Sequence, residues 1–479
     1  MAGNIQLMWP PMARKFLTLL LPLILAQSPM AEAQVALPGV RLPNLSGTGL
    51  PVTGLPLNGD RTLAGLTNDL DPRRLEDLRR LHILDLIRKN PKEIEADPNG
   101  APILRGEVVA FSPSDAALEK ARAAGFSVLR ERVLEGLDAR LVVLKAPDGT
   151  ATRRALRQIK GLDPEGMYDF NHLYMDSGEV LGSGAAAERG AGGGPGDGRG
   201  APGVGSGVGI ERGGGSDETV AADAGTKVGL IDGGVDISHD VFRDIVIHQH
   251  GCSGTPVPAA HGTAVASLMI GRSPQFHGAA PGSELYAADV YCGLPTGGAV
   301  DAVADALAWL VRERVPVVNV SLVGPPNVML ENVIRMVISR GHVVVAAVGN
   351  DGPAAPPLYP ASYPDVVGVT AVDAHQRALL EACRGRQVKF AAPGADMSAA
   401  SPAQSYAMVR GTSFASPIVA GLLAEAVREP DKAASQRAVA DLATHAIDLG
   451  APGPDPVYGY GLVGGDLRPE IALVGSRSN

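Results

Sequence analysis

The stretch "PVVNVSLVGPPNVMLENVIRMVISRGHVVVAAVGN", residues 316–350, contains two apolar runs with a helical pattern between them. Val317 to Ser321 and Val343 to Val348 are rich in Val and Ala and do not alternate with polar residues, which is typical of strands covered on both faces. Leu330 to Arg340 has the apolar spacing of a helix. A strand, a helix and a strand in this order predict a βαβ unit with parallel strands.

The same alternation continues through the C-terminal half of the chain. The further strand-like runs are Lys227 to Ile231, Leu285 to Val290 and Val366 to Val372, and the further helical patterns are Gly262 to Ile270, Val300 to Arg312 and Phe414 to Arg428. We therefore predict an α/β fold with a mainly parallel, doubly wound sheet over residues 227–479. Functional residues of such sheets lie at the carboxyl ends of the strands.

The N-terminus has the composition of a secretory signal. Arg14 and Lys15 precede an apolar run from Phe16 to Ala26, and Ala31-Glu32-Ala33 offers small residues to a signal peptidase. The run is shorter than the roughly 20 apolar residues that span a bilayer, which argues against the alternative of a membrane anchor. Residues 1–33 are therefore predicted to be a signal peptide, and the protein to be secreted or periplasmic.

Three segments separate this signal from the α/β domain. Residues 34–106 form a low-complexity head with one short helical pattern between Leu75 and Ile87. Residues 107–176 have the order strand, helix, strand, strand, helix, strand, which predicts a small ferredoxin-like α+β unit. Residues 177–226 are so rich in Gly that they predict a linker. Their glycines do not match G-x-G-x-x-G, which argues against a dinucleotide-binding protein.

Charge and cysteine content exclude some classes of protein and leave one question open. The net charge is −9 and no basic cluster stands out, so nucleic acid is not an expected partner.

The three cysteines are Cys252, Cys292 and Cys383. They allow either a bridge between Cys252 and Cys292 or three unbridged thiols, and an odd count leaves at least one without an intramolecular partner.

No metal or other cofactor is expected. His239, His248, His250 and His277 surround His261 in the sequence, but the zinc-protease patterns H-E-x-x-H and H-x-x-E-H are absent. We interpret these histidines as surface residues. No acidic loop can be assigned to a structural calcium ion, although such an ion is not ruled out by the sequence.

Four polar residues occupy the positions where an α/β domain carries its chemistry. Asp232 ends the first strand, His261 opens the helical stretch "HGTAVASLMIG", and Ser413 begins the helix in "GTSFASPIVAG". Asn350 follows the strand "VVVAAVG". The small residues around Ser413 would let a substrate backbone approach it, and we place Pro417 in the first turn, where a missing N–H costs little.

These residue types match the needs of a serine nucleophile. A serine attacks only when a base removes its proton, and a histidine does so best when a carboxylate fixes its tautomer and stabilises the imidazolium ion. The negative charge that develops on a carbonyl oxygen needs donors aimed at it. Asn350 can supply a side-chain amide beside the N–H of Ser413.

The motifs resemble the signature segments of the subtilisin-like serine proteases, the subtilases. "VGLIDGGVDISHDVF", "HGTAVASLMIG", "VVNVSLVGP", "VVAAVGNDG" and "GTSFASPIVAG" follow that family's order Asp, His, Asn, Ser. The resemblance covers about residues 226–465. It implies Asp232, His261 and Ser413 as the catalytic triad and Asn350 as the oxyanion donor, and it implies that residues 107–176 are an inhibitory prodomain.

The resemblance also implies a substrate-binding edge, in which this sequence departs from the family. The edge comprises Ser321, Leu322, Val323 and Gly324, and Val323 stands where the family usually has a first glycine. Leu358 occupies a position that is often small in the family. Because both departures fall on walls of the main specificity pocket, we expect a shallow pocket that prefers a small residue before the cleaved bond.

These observations predict a secreted serine endopeptidase made as a self-processing precursor. Its expected partners are polypeptide substrates and its own prodomain, and we expect a monomer with no membrane span after signal removal. The alternative is a catalytically silent, secreted binding or assembly protein with a subtilisin-like fold. Labelling by a fluorophosphonate, which requires an activated serine, distinguishes the two.

Overall fold

The computed structural model describes residues 72–181, 225–294 and 296–469 of the chain. The predicted signal peptide, most of the low-complexity head and most of the Gly-rich linker lie outside these ranges. Within them, no helix combines the length and the apolar character that crossing a membrane requires.

The N-terminal part of the described chain alternates short helices with antiparallel strands. In chain order its elements are α1 (Pro72–Lys89), β1 (Ile94–Ala96), β2 (Pro102–Phe111), α2 (Asp115–Ala123), β3 (Ser127–Leu134), β4 (Ala139–Lys145), α3 (Thr152–Leu162), β5 (Met167–Asp176) and β6 (Glu179–Leu181). Strands β2 to β5 pair in the order β5-β2-β4-β3. Apolar residues of α2, α3 and the sheet, such as Leu118 and Ile159, share one buried cluster. The predicted order of strands and helices is present.

The strands at the two ends of this unit extend beyond the pattern seen in the sequence. Strand β2 begins at Pro102 rather than near 107, because its first residues pair with β1 and a register shift between Ile103 and Val108 separates this part from the rest. At the other end, Glu179–Leu181 do not belong to the linker. They form β6, whose backbone pairs with the edge of a hairpin in the C-terminal part.

The C-terminal part consists of short, largely buried strands joined by longer helices. In chain order its elements are β7 (Lys227–Asp232), β8 (Ile247–Gly251), α4 (Ala260–Ile270), β9 (Arg272–Ser273), β10 (Phe276–His277), β11 (Glu284–Asp289), β12 (Gly298–Ala299), α5 (Val300–Arg312), β13 (Val317–Val320), β14 (Leu322–Val323), α6 (Val328–Ser339), β15 (Val343–Ala347), β16 (Val367–Val372), β17 (Val388–Pro393), β18 (Met397–Ser401), β19 (Ser405–Arg410), α7 (Thr412–Ala426) and α8 (Lys432–His445).

Seven of these strands form one parallel sheet in the order β17-β16-β15-β13-β7-β11-β8. Helices α4 and α7 cover one face with residues such as Val265 and Phe414. Helices α5 and α6 cover the other face with residues such as Leu307 and Val333. Because both faces are buried, the strands carry Val and Ala without alternation. The predicted doubly wound α/β fold is confirmed.

The sequence patterns missed the two outermost strands of this sheet. Strand β8 has the polar sequence Ile-His-Gln-His-Gly and is only partly buried. Lys389 interrupts the apolar run of β17. An edge strand has only one neighbour and can carry polar residues, so the continuous apolar run that identified the inner strands is absent there.

The topology brings the four predicted polar residues to one edge of the sheet. Asp232 ends β7, Asn350 follows β15 after a short turn, and α4 and α7 start with His261 and Ser413 as their second residues. Parallel strands have their carboxyl ends on the same side, and the helices that return from them start there.

Cys252 and Cys292 form a disulfide, so the open question of the cysteines is answered in favour of the bridge. It joins the turns that follow β8 and β11. Cys383 is a buried thiol, and burial raises its pKa to about 12. A thiol that stays protonated at neutral pH is a poor nucleophile.

Candidate active site

Asp232 and His261 are joined by a buried ion pair. Both carboxylate oxygens of Asp232 lie 2.9 Å from Nδ1 of His261, and Asp232 has no exposed surface. Gly262 lets α4 pack directly on the carbonyl of Gly233, because a Cβ at this position would overlap that oxygen. The carboxylate therefore holds the proton on Nδ1 and leaves Nε2 as the basic atom of the ring.

Ser413 stands at the start of α7 beside a glycine that no other residue could replace without strain. Gly411 has a φ of 137°, which side chains rarely allow. A Cβ on Gly411 would also lie 2.7 Å from Cα of Gly178 and 2.8 Å from the carbonyl oxygen of Ser177. The small residues before Ser413 thus leave room for a second backbone segment.

Pro417 lies in the second turn of α7, not in the first turn as the sequence suggested. Its missing N–H leaves the carbonyl of Ser413 without the usual helical donor. The hydroxyl of Ser321 donates to this carbonyl instead, at 3.0 Å. The proline therefore has a specific role, since it frees the Ser413 carbonyl for a contact with the end of β13.

The hydroxyl of Ser413 contacts the segment that follows β5. The N–H of Ser177 donates to Oγ of Ser413 at 3.0 Å, and the two serine Oγ atoms are 2.6 Å apart. Oγ of Ser413 also donates to the carbonyl of Ser321 at 3.2 Å. Nε2 of His261 is buried and has no hydrogen-bond partner among the described residues. Asp232 is thus hydrogen-bonded to His261, whereas the Ser413 hydroxyl is hydrogen-bonded to Ser177 and not to His261.

Two donors converge on the carbonyl oxygen of Ser177. The backbone N–H of Ser413 donates to it at 3.3 Å, and Nδ2 of Asn350 donates to it as well. The amide of Asn350 is oriented by Thr412, whose N–H donates to Oδ1 at 3.1 Å. A carbonyl held by two such donors next to a serine hydroxyl is in the position where negative charge would be stabilised during attack.

The end of β5 lies between two edges of the C-terminal part, as an extended polypeptide would. On one side Met175 and Asp176 pair antiparallel with β14, in register with Val323 and Leu322. On the other side Leu173 and Tyr174 pair with β12. Backbone pairing on both sides is the usual way to hold an extended peptide independently of its side chains.

Tyr174 inserts its ring into the C-terminal part. Its hydroxyl donates to the carbonyl of Pro325 at 2.7 Å, and the residue is buried. Gly324 is required here, because a Cβ at Gly324 would lie 2.5 Å from the ring. Beyond Ser177 the chain continues as β6, which pairs with β19.

Burial and charge act in opposite directions on the pKa values of Asp232 and His261. Burial raises the pKa of Asp232, while the adjacent His261 opposes this rise. For His261, burial alone would lower the pKa, but the carboxylate of Asp232 and, more weakly, that of Asp176 raise the pKa to about 9. The imidazole is therefore predominantly protonated at neutral pH while the end of β5 lies between β12 and β14. We call this space between β12 and β14 the cleft.

The structure places the other predicted site residues around the same cleft. Leu322 and Val323 form the edge that pairs with β5, and Ser321 bonds to Ser413. Gly324 pairs with Tyr359 through two backbone hydrogen bonds of 2.9 and 3.0 Å. The side chain of Leu358 lies against Gly349, directly before Asn350, where it would overlap any Cβ.

The sequence patterns missed the residues that enter the cleft from the N-terminal part. Ser177 and Tyr174 contact the site although they lie in or beside the predicted prodomain, and Arg79 of α1 forms an ion pair with Asp351. The signal available was weak: two small residues, Ser177 and Gly178, directly after the last strand of the unit.

One group of potential metal ligands occurs among the described residues, and it does not fit a metal ion. It comprises Cys252, Asp289 and Cys292. The two cysteines are joined in the disulfide, and the carboxylate of Asp289 accepts hydrogen bonds from three backbone N–H groups, those of Val257, Tyr291 and Cys292. The thiolates that a metal would need are not available.

Comparison with known proteins agrees with the fold. The profile of the subtilase family matches residues 223–461. Subtilisin BL of Lederbergia lenta is 33% identical over 244 residues, which cover 50% of this chain and 89% of that protein. Subtilisin of Bacillus pumilus is 34% identical over 212 residues, which cover 41% of this chain and 75% of that protein.

A solved structure extends the likeness beyond the parallel sheet. The crystal structure of fervidolysin from Fervidobacterium pennivorans, a keratinolytic enzyme related to subtilisin, superimposes with a TM-score of 0.59 at 20% sequence identity. The match covers 76% of this chain and 61% of that one. At this identity the likeness concerns the fold.

Proposed function

The chain belongs to the subtilase family and is a subtilisin-like serine endopeptidase, and from this premise we propose that it cleaves peptide bonds through Asp232, His261 and Ser413 and that its own Ser177–Gly178 bond is its first substrate. The observation that carries the proposal is the position of the Ser177 carbonyl. It accepts hydrogen bonds from Asn350 and from the N–H of Ser413, beside the Ser413 hydroxyl.

The proposed reaction begins when the Ser413 hydroxyl turns from Ser177 toward Nε2 of His261. Nε2 takes the hydroxyl proton while Oγ attacks the carbonyl carbon of Ser177, and the carbonyl oxygen becomes an oxyanion held by Asn350 and the Ser413 N–H. His261 then gives its proton to the nitrogen of Gly178, and the peptide bond breaks. Water, deprotonated by His261, releases Ser177 from the acyl-enzyme.

The unit around β2 to β5 would then be an inhibitory prodomain, because cleavage does not remove its other contacts. Nε of Arg130 on β3 lies 3.0 Å from the buried carboxylate of Asp301 on α5. Arg132 pairs with Asp305 on the same helix at 3.3 Å. Together with the pairing of β5 between β12 and β14, these contacts would hold the product in the cleft until the prodomain unfolds or is degraded.

The pH dependence of self-processing follows from the raised pKa of His261. Only the neutral imidazole can accept the Ser413 proton, so the rate should rise about tenfold per pH unit below pH 9 and level off above it. The measurement is the first-order rate of precursor shortening after refolding at different pH values. The Asp176→Asn precursor should reach its plateau at lower pH, and a rate that is constant between pH 6 and pH 9 would contradict the raised pKa of His261 in the precursor.

We also propose that the residue before the cleaved bond, P1, must be small. Ser177 occupies this position, and the side chain of Leu358 stands against the turn at Gly349 and Asn350 that forms one wall of the cleft. Leu358 is only 9% exposed and is packed in the core cluster under the β14 edge, so it cannot move aside without opening a cavity.

The P1 requirement is tested on the precursor itself. Ser177→Phe should slow self-processing by about a hundredfold, since a large ring has no room beside Leu358. Adding Leu358→Gly should restore most of the rate. The matched control is Ser177→Ala, which should process at nearly the native rate, and the new N-terminus, read by mass spectrometry, should be Gly178. Fast processing of Ser177→Phe at the same bond would refute the small pocket.

Export is part of the proposal. Arg14, Lys15 and the apolar run after them support a signal peptide, and the disulfide between Cys252 and Cys292 is of a kind that persists in oxidising compartments. One relative, from Bacillus subtilis, is named a minor extracellular protease. We propose a monomeric protease released to the periplasm or the medium, acting on polypeptides.

A further inference from the structure

Strand β6 lies directly after the bond that the proposed reaction cleaves. All three of its residues, Glu179–Leu181, pair antiparallel with β19, from Arg410 to Met408. Strand β18 pairs with the other side of β19, so β6 is the third strand of a sheet in the C-terminal part. Once the Ser177–Gly178 bond is cut, β6 belongs to the chain that carries the enzyme and is no longer joined to β5.

The side chains of this segment fit the C-terminal part as well. Val180 is half-buried and packs against the apolar cluster that contains residues of α4 and α7. Gly178 lies against the ring of Phe414, where a Cβ would be 2.5 Å from a ring carbon. None of these contacts passes through the unit around β2 to β5, so cleavage leaves them in place.

The edge of β19 is the place where the residues after a cleaved bond must lie. Arg410 ends β19, and Ser413 follows it by three residues. In the precursor, Ser177 contacts the Ser413 hydroxyl, and the chain continues from there along β19. Backbone pairing lets such an edge bind an extended chain of almost any sequence. A polypeptide that places its own bond at Ser413 therefore competes with β6.

The two products of the cut differ in how they are held. The fragment that ends at Ser177 is a separate chain and is diluted once it dissociates. Strand β6 remains joined to β7 through residues 182–224, so its return to β19 is intramolecular. A tether gives a segment an effective concentration on the order of millimolar, which supports even the weak contact of a short strand.

Resting on the proposed function, we propose that the edge of β19 binds the enzyme's own new N-terminus, residues 178–181, after self-processing. The bound strand is a tethered competitive inhibitor. It occupies the side of the site that takes the residues after the cleaved bond and leaves the cleft between β12 and β14 free. Substrates that extend past the cleaved bond must displace it, whereas substrates that end there need not. Removal of residues 178–181 therefore completes the activation of the protease toward polypeptides.

The test compares a substrate that needs β19 with one that does not. The first is the peptide Leu-Tyr-Met-Asp-Ser-Gly-Glu-Val-Leu, the sequence of residues 173–181, and the second is its first five residues as a methyl ester. Both are given to self-processed enzyme that has been separated from the fragment ending at Ser177. The variant is Val180→Asp, which places a carboxylate against the apolar cluster.

The variant should cleave the long peptide with about fivefold lower KM and unchanged kcat, the ratio for a native strand that is bound about four fifths of the time. The KM of the ester should stay within about twofold, because its methanol leaving group does not extend along β19. Equal KM values of the long peptide in native and variant enzymes would overturn the inference. So would an equal fall of KM for both substrates.

The matched control is Val220→Asp, which adds the same charge to residues 182–224 and leaves β6 unchanged. This variant should keep both KM values of the native enzyme. Glu179 is less suitable than Val180 as the site of change, because Arg410 opposite it is already paired with Glu381 at 2.7 Å.

A second measurement does not depend on the variant. An aminopeptidase that removes at least residues 178–181 from native processed enzyme should lower the KM of the long peptide by the same factor, with the trimmed N-terminus read by mass spectrometry. Backbone amides of β19 (Ser405–Arg410) should exchange with deuterium more slowly before trimming than after it, since pairing with β6 protects them. Equal exchange rates would show that β6 leaves β19 and would overturn the inference.

Failure of the proposed function would look different, because the native precursor would then stay full length, leave both substrates intact and resist a fluorophosphonate. That outcome would overturn the inference together with the proposed function. Processed enzyme that cleaves both substrates, with the same KM for the long peptide before and after removal of residues 178–181, would refute the inference alone.

Discussion

The Ser413→Ala precursor should remain full length, while the native precursor shortens and acquires Gly178 as its new N-terminus. Removing the proposed nucleophile leaves the Ser177 carbonyl between Asn350 and the backbone N–H of residue 413, but no hydroxyl oxygen remains there to attack it. Loss of the serine in a subtilisin lowers kcat by about a millionfold, and we expect a loss of similar size here. The measurement is precursor mass against time, with fluorophosphonate labelling of both chains.

The matched control is Ser416→Ala, on the next turn of the same helix. Ser416 is equally buried, but its hydroxyl contacts the Ser321 hydroxyl at 3.1 Å and the carbonyl of Ser413 at 3.5 Å rather than Ser177. This variant should process normally. If the native chain and Ser413→Ala both stayed full length and unlabelled, the triad would not operate, and the alternative of a catalytically silent binding protein would take its place.

Asp232→Asn is expected to have the second largest effect, slowing self-processing by about ten-thousandfold. The asparagine amide would present an N–H to Nδ1 of His261, which favours the wrong tautomer, and the imidazolium that forms during attack would lose its counter-ion. Without the carboxylate the pKa of His261 should also fall, since Asp232 is the main group that raises it. The processing rate should therefore reach its plateau at a lower pH than the rate of the native precursor does.

Asp289→Asn provides the comparison for Asp232→Asn. Asp289 ends the adjacent strand β11, stands in register with Asp232 and is almost as buried. Its carboxylate accepts backbone N–H groups of a turn and does not contact His261. We expect folded Asp289→Asn precursor to process within about tenfold of the native rate. Equal losses in both variants would mean that Asp232 acts only through stability.

The sequence determined the α/β fold and the residues of the candidate site because these depend on local pattern. Inner strands of a parallel sheet are buried on both faces and are therefore continuously apolar. The apolar composition of "VVNVS" and "HVVVAAV" was enough to predict them as strands. Asp232, His261, Asn350 and Ser413 each follow such a strand or open a helix, and the parallel topology then brings them to one edge. The edge strands β8 and β17 carry no such pattern, because one side of each has no strand neighbour.

Only the tertiary structure decided that β5 lies between β12 and β14 and that the positively charged Arg79 contacts Asp351. The pairing of β5 between β12 and β14 joins residues more than 100 positions apart, and backbone hydrogen bonds leave no mark on the side chains of either partner. The contact of Arg79 with Asp351 spans 272 positions and depends on how α1 packs over Met175. Proximity of this kind arises from the packing of whole elements, and local sequence does not encode it.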